Sequence, residues 1–497
     1  MQKTESSHKT ILKTTGVFGF TQILKMGISV IGAKFIAIFL GPVGIGIAGL
    51  LNNTISIVSS LTSFGIQVVS VREMSLAHAE NDLEKFSKRF IVLERWSIAI
   101  GLFGGTLTLC LSSVLSKLTF GSNEYQLWFV FLSINFVLSS LTASRVAILQ
   151  GMRMIRSIAV SNLIISILIT IVTIPIYYFF RLKGIVSVIL LSSAIALAVN
   201  LYFTRNVKIL KLKITLQETI RCGKPLVKLG FLLSINVLFG QICTYIIKLY
   251  LNNSGTTAEI LGFYEVSTII LLSYVGMIFN AMNTDYYPRL TAVSNDNVKI
   301  KALVNDQIEI ALLIITPAIT FLYLTAPILI RTLYSKDFLE VVLILKAALF
   351  AVIIRAIIWP LAYVILAKGE NRLYFKQELL GDALNILFTI ALYHFLGLIG
   401  IGLANLINFS IYGFYVYFIL KNKFEFDFRK DTLRIMVVSC LIGLLNCLIL
   451  FFVKDPNTYF LIGILLVLSC IYSYKELDKR VDIMAYLVKM KHKIKSK

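Results

Sequence analysis

Apolar runs of about 18 residues or more recur along the whole chain, separated by short polar stretches. A run of that length crosses a bilayer as a helix. Fourteen spans are predicted, at roughly 14–40, 43–70, 92–115, 126–149, 157–180, 184–204, 227–251, 258–284, 308–330, 340–366, 379–396, 398–420, 435–453 and 457–474. The strands of a β-barrel would instead alternate polar and apolar positions over about ten residues. Spans 1 and 2 are joined by "GPVG" and spans 11 and 12 by "LGLIG", where glycine and proline end one helix and begin the next. "MQKTESSHKT" leads into the first span without a small-residue cleavage site, so that span is expected to be retained.

Polar residues inside the spans change the picture. Gln22, Lys25 and Ser29 share a helical face. If the inner edge lies near Lys13, Lys25 is about 18 Å deep at 1.5 Å per residue. A buried cation of this kind faces a water-filled cavity or a structural partner. Lys34 is half a turn out of phase with Lys25, so either Gly27 and Gly32 bend the helix or Lys34 snorkels outward. In span 2, Asn52, Ser56, Ser60, Ser63 and Gln67 form a continuous stripe, which could line a cavity or mediate helix packing. Span 7 repeats the pattern with Ser234, Gln241, Thr244 and Lys248. Arg355 is mid-span and is expected on a cavity, whereas Lys346 is nearer an end and reads as an interface anchor. Glu265, in span 8, is an ion-coupling group or the partner of a lysine. Asp382 is expected in the first turn of span 11, with Glu378 and Asn385 on its face; there the helix macrodipole favours a negative charge, with ion coupling as the other reading.

Composition supports a membrane protein: 57% hydrophobic residues, only 15% charged, and a mean hydropathy of +0.83. The net charge of +22 would suggest nucleic acid. Its distribution does not. Of the 48 Lys and Arg, 37 fall at the N-terminus, in the tail, and in or within five residues of the even-to-odd loops, and seven in or within five residues of the odd-to-even loops. That bias predicts cytoplasmic termini. The tail "KMKHKIKSK" reads as solvated, with contact to anionic lipid as the other reading. Segment 205–226, basic and half apolar, is expected to lie on the inner membrane surface. External loops are too short to hold a catalytic domain. The six cysteines show no paired or metal-like spacing and read as packing thiols. G-x-x-x-x-G-K-[ST] and H-E-x-x-H motifs are absent and the four histidines are scattered, so neither a P-loop nor a zinc site is expected.

A faint internal repeat aligns Gly46 with Gly262, each following a lysine (Lys34, Lys248) late in the preceding span. The expected fold is therefore an all-α polytopic membrane protein of about 14 helices. It has two six-helix halves (1–204 and 227–420) around a central cavity, a linker (205–226), and an added helix pair with a basic tail (421–497).

Three stretches resemble the polysaccharide flippases of the multidrug/oligosaccharidyl-lipid/polysaccharide (MOP) exporter superfamily, specifically the O-antigen translocase (Wzx-like) branch. They are "GAKFIAIFLGPVGIGIAGLLNN" (32–53), "MNTDYYPRL" (282–290) and "WPLAYVILAKGENRLYF" (359–375). Many members have twelve helices; spans 13 and 14 exceed that core. The resemblance implies a transporter, not an enzyme, in a bacterial inner membrane. It would move undecaprenyl-diphosphate-linked oligosaccharide from the cytoplasmic to the periplasmic leaflet by alternating access, without a cofactor or metal. Lys25, Lys34, Lys248 and Arg355 would pair with the diphosphate. Gln22, Asn52, Ser56, Ser60, Gln67 and Gln241 would bind sugar. Glu265 and Asp382 are candidates for ion coupling. Implied partners are the lipid-linked substrate, membrane lipids, and a polysaccharide polymerase and chain-length regulator, but no nucleic acid. The alternatives are a lipid II flippase, a multidrug exporter of the same superfamily, and, from another class, a membrane polymerase or ligase. The last is disfavoured because it would need a large periplasmic loop.

Overall fold

The computed structural model describes the backbone of residues 2–63, 82–152, 154–254, 259–453 and 457–481, with positions 71, 74, 75 and 77. Side chains are described except at 2–23, 26, 155, 225–234, 236, 274, 284 and 481. Every described element of regular structure is helical. Eleven described stretches are long and apolar enough to cross a membrane; Gly27–Ser63 and Arg156–Thr204 each span two of the predicted crossings. The chain divides into two compact units, Met1–Gly262 with Leu333–Ser335, and Phe263–Thr332 with Lys336–Lys497.

The first unit opens with α1 (Gln2–Ser63), broken at Gly41, whose φ of 63° only glycine adopts readily. Pro42 follows at the start of the second limb, where its missing N–H is harmless. The "GPVG" break is thus where the sequence places it. Helices α2 (Leu83–Cys110) and α3 (Ser112–Phe120) come next, then α4 (Gln126–Gly151), α5 (Ile155–Phe180) and α6 (Ile185–Thr204). Asp82 caps α2 by accepting from the Lys85 amide at 2.9 Å. Helices α2 and α4 pack through small residues: a Cβ on Gly101 would come within 2.8 Å of the Val137 Cα, and one on Gly105 within 2.9 Å of the Ser133 carbonyl oxygen. A core of Leu40, Leu51, Phe129, Leu132 and Ile185 ties the kink region to α4 and α6.

Segment 205–226 joins two helices. Residues 207–215 form an irregular strap, and from Leu216 the chain runs as one helix, α7 (Leu216–Asn253), through the seventh predicted span. Thr215 and Glu218 form a capping box at its start, which fixes where the helix begins. The Thr215 amide and the Lys88 ammonium hold the Glu218 carboxyl below its usual range. Ser87 accepts from the Leu210 amide at 2.9 Å, and Arg95 donates to the Ile214 carbonyl at 2.8 Å. Val207 and Ile209 pack inward, leaving Lys208, Lys211 and Lys213 exposed.

Helix α8 (Ile260–Thr268), whose first three residues belong to the first unit, passes through a π-helical turn (Ile269–Tyr274) into α9 (Gly276–Ala292) of the second. There follow α10 (Asn297–Leu333), α11 (Val341–Ala367), α12 (Asn371–Leu396), α13 (Leu398–Phe424), α14 (Lys430–Phe452) and α15 (Asn457–Val481). Helix α11 is apolar on nearly every side and packs against α9, α12, α13 and α14, as a central helix must. Tyr286 donates to the Pro360 carbonyl at 2.8 Å, seating the end of α9 against it.

Candidate functional site

The polar stripe of span 2 finds its partner in span 7. The Ser60 hydroxyl donates to Oε1 of Gln241 at 2.8 Å, and Nδ2 of Asn53 lies 3.4 Å from the Gln241 carbonyl oxygen. A stripe of small polar residues at helical spacing folds this way because hydrocarbon offers its hydroxyls no alternative partner.

Around this contact lies a cavity of about 330 Å³, bounded by the second limb of α1, α2, α4 and Gln241 of α7. That volume is at the small end of ligand pockets. Ser56, Ser60 and Ser63 line one wall, and Ser97, Ser140 and Ser144 the facing one. No charged side chain lines it among the described residues. Several hydroxyls are already used: Ser56 donates to the Asn52 carbonyl at 2.8 Å and Ser144 to that of Leu141 at 2.7 Å. Their oxygens remain able to accept. Ser63, Ser97 and Ser140 have no hydrogen bond among the described residues, leaving donors as well as acceptors for whatever fills the space. Two charges stand beside the wall, Arg145 and Glu94, and they pair with each other. The described lining is therefore uncharged, with hydroxyls set among apolar side chains such as Ile55, Leu93, Ile100 and Phe136. It suits a ligand that both donates and accepts hydrogen bonds.

The comparisons with known proteins bear on this site. A family model described as "Polysaccharide biosynthesis protein" matches residues 35–343. The chain belongs to this family. The matched segment contains the whole lining of the cavity, from Ile55 to Gln241. No curated protein matches the sequence. Among solved structures, the chain is similar to the lipid II flippase MurJ in an inward closed conformation. The TM-score is 0.67 at 18% identity, over 95% of this chain and all of that one. It is also similar to an inward-facing multidrug resistance MATE family transporter of the MOP superfamily, with a TM-score of 0.66 at 16% identity over 80% of this chain and 98% of that one. An outward-facing MATE family transporter of that superfamily gives 0.56 at 15% identity, over 83% and 96%. These likenesses show that the chain shares the polytopic helical fold of those solved proteins.

Of the cations expected to hold a diphosphate, the three in the first unit, Lys25, Lys34 and Lys248, are not in the lining of the serine cavity. Lys248 is 93% buried (7% exposed), and its ammonium lies 3.3 Å from the Gly49 carbonyl oxygen of α1. Lys25 and Lys34 are half-buried on the first limb of α1. Arg355 belongs to the second unit, where its guanidinium lies over the rings of Phe279 and Phe409, at 5.1 and 5.9 Å. Lys346 stands over Phe451 near the end of α14, at 5.3 Å. Asn52 is exposed and outside the cavity lining; the side chains of Gln22 and Ser234, and the whole of Gln67, lie outside what the structure describes.

Asp382 is not in the first turn of its helix. Helix α12 begins at Asn371, eleven residues earlier, so the macrodipole does not account for it. Polar residues 371–378 read as loop but fold as the leading turns of the helix. Glu378, one turn before Asp382, accepts from the Tyr412 hydroxyl at 2.9 Å. Glu265 is buried in α8. Ser97, Ser139, Ser140 and Ser144 were not singled out by sequence. The signal was present in "SSLTAS", a polar interruption in span 4 whose serines recur on one helical face.

Proposed function

We propose that this polysaccharide biosynthesis protein is a flippase that carries a lipid-linked saccharide across the membrane by alternating access. The observation that carries the reading is the hydroxyl-lined cavity fixed by Ser60 and Gln241, inside the segment that the family model matches. Saccharide hydroxyls cannot enter hydrocarbon without replacement for lost water, and clustered serine and amide groups offer that replacement. In this reading Ser56, Ser60 and Gln241, joined by Ser97 and Ser140, meet sugar; Gln22, Asn52 and Gln67 belong to the same polar path. Lys25, Lys34, Lys248 and Arg355 serve the diphosphate at different stages of the passage. Glu265 and Asp382 are the groups through which an ion gradient would couple. The chain contains no P-loop motif, so the energy comes from gradients or substrate supply. One charge moved through 100 mV is worth about 2.3 kcal/mol.

The family description favours a polysaccharide repeat unit on an undecaprenyl diphosphate carrier. The fold favours a second reading, lipid II, because the similarity to a lipid II flippase runs over 95% of the chain. Both cargoes join a diphosphate to sugar. Deletion of the gene, with complementation by wild type, Ser97→Ala/Ser140→Ala or Lys25→Ala, separates the readings. Loss of surface polysaccharide with normal peptidoglycan precursors supports the repeat unit. Accumulation of lipid II in the inner leaflet supports the second. A deletion that changes only drug tolerance overturns both, and full export by all variants at equal abundance removes the site assignments.

A further inference from the structure

A second groove, about 400 Å³ in volume, lies on the second unit where α12 begins and α13 ends. Its polar rim is formed by Arg372 and Lys376, one turn apart on α12, and by Lys423 and Asn422 of α13. Its apolar walls are Leu373 and Phe418. Among the described residues Arg372 and Lys376 have no acidic partner. The one acid on the rim, Glu370, is held 2.6 Å from Lys423. Glu370 also occupies the N-cap position of α12 but makes no capping hydrogen bond, so the first-turn amides lack a side-chain acceptor. Three cations, one acid and an uncapped helix start give this rim a net attraction for anions.

The surface leading from the rim is apolar. On α12, Leu379 and Leu387 continue the face of Arg372 and Lys376; on α13, Ile411 and Phe414 continue that of Phe418. All five are exposed, Phe414 by 77% and Phe418 by 63%. From Arg372 to Leu387 the helix rises about 20 Å at 1.5 Å per residue. A cationic rim on a long apolar track is complementary to an amphiphile with a phosphate head and hydrocarbon tails. The polar segments at this end, 367–378 and 421–434, are both on the Lys/Arg-rich side of the sequence, which the positive-inside bias assigns to the inner leaflet.

We propose that this groove binds the phosphate headgroup of an anionic membrane phospholipid, with its chains along the α12–α13 face. Basic pockets between helices near the inner surface hold such headgroups. The proposal does not depend on which saccharide the protein carries.

The test is lipid titration of the purified, delipidated full chain by native mass spectrometry, with cardiolipin, phosphatidylglycerol and undecaprenyl phosphate as probes. Arg372→Gln/Lys376→Gln should weaken cardiolipin binding about thirty-fold, the change expected for two charges at about 1 kcal/mol each. Glu370→Gln, which removes the one repulsive charge and frees Lys423, should strengthen it about five-fold. The control Lys208→Gln/Lys211→Gln, on the exposed strap, should stay within about two-fold of wild type. A rise and a fall from neighbouring exposed positions cannot both come from unfolding. Unchanged binding in the Arg372/Lys376 variant, or an equal loss in the strap control, overturns the site. Preferential retention of undecaprenyl phosphate over both phospholipids overturns its assignment to a membrane phospholipid.

Discussion

Gly46 and Gly262 meet backbone to backbone: a Cβ on Gly46 would stand 2.9 Å from the Gly262 amide nitrogen, and one on Gly262 only 2.0 Å from the Pro42 carbonyl oxygen. These are the two glycines that the faint internal repeat places in register. Their apposition gives the repeat a physical content. Each glycine follows a lysine late in the preceding span, and each permits a chain approach that any side chain would block.

Gly262→Ala is therefore expected to be poorly tolerated. The clashing atom is backbone and cannot rotate away, so a cost at or above the about 1–3 kcal/mol of overpacking is expected. Gly27→Ala is the matched control, since nothing lies within 4 Å of its added Cβ. Thermal unfolding in detergent should show a clear loss for Gly262→Ala and none for Gly27→Ala. Equal melting temperatures would show that the close approach is not a feature of the folded protein.

The hydrogen bond between Ser60 and Gln241 should appear as an energetic coupling. Interhelical pairs in membrane proteins average about 0.6 kcal/mol and reach about 1.7 kcal/mol. A double-mutant cycle with Ser60→Ala and Gln241→Ala should fall in that range. The pair Ser97→Ala/Ser140→Ala breaks no hydrogen bond among the described residues, so stability should hold while export falls. Retained export with lowered stability would turn the cavity wall into packing alone.

Much of the fold was legible because bilayer thickness fixes the length of an apolar run, so each predicted span overlaps a described helix or helix limb, with residues 64–70 of the second lying outside the described residues. Helix ends beyond the hydrocarbon were less so. Residues 371–378 are polar, and hydropathy stops where the bilayer stops, although α12 continues; Asp382 was misplaced for that reason. The strap at 207–215 alternates Val207, Lys208 and Ile209 with a two-residue period inside a basic linker, which marks an inward and an outward side but not what the inward side packs against. The stripe of span 2 was visible, but its facing wall on α2 and α4 required tertiary structure. Single-helix periodicity gives a face and never its partner.

Arg355 has an aromatic setting that separates charge from shape. Its guanidinium is placed over Phe279 and Phe409. Such contacts contribute about 0.5–2 kcal/mol and favour the planar guanidinium over an ammonium. Arg355→Met should leave the melting temperature near wild type, because it replaces a half-buried cation with an apolar side chain of similar length, yet it should abolish export. Arg355→Lys should restore part of the export. Full export by Arg355→Met would remove the residue from the proposed diphosphate path.

The C-terminal helix pair is fastened to α10 by ionic contacts that sequence alone did not reveal. Glu309, with a side chain only 6% exposed, accepts from Nε of Arg480 at 2.6 Å and from the Thr432 hydroxyl at 2.5 Å. Arg480 also reaches Glu476 at 2.7 Å, and Arg434 reaches the same carboxylate at 2.8 Å. Deeper in the bundle, Asn446 of α14 donates to Thr320 of α10 at 3.1 Å. Removing one partner of a buried pair leaves an uncompensated charge, which costs about 3–5 kcal/mol. Replacing both partners with apolar groups is often close to neutral. Arg480→Ala should therefore destabilise strongly, and hydrogen exchange should rise over 457–481. The double substitution Glu309→Leu/Arg480→Met should recover most of that loss. Arg434→Ala, at a half-exposed position, should change stability by no more than about 1 kcal/mol. If Arg480→Ala exchanges like wild type, the clasp is not what holds the helix pair; if the double substitution is as damaging as the single one, the carboxylate of Glu309 has a role beyond pairing with Arg480.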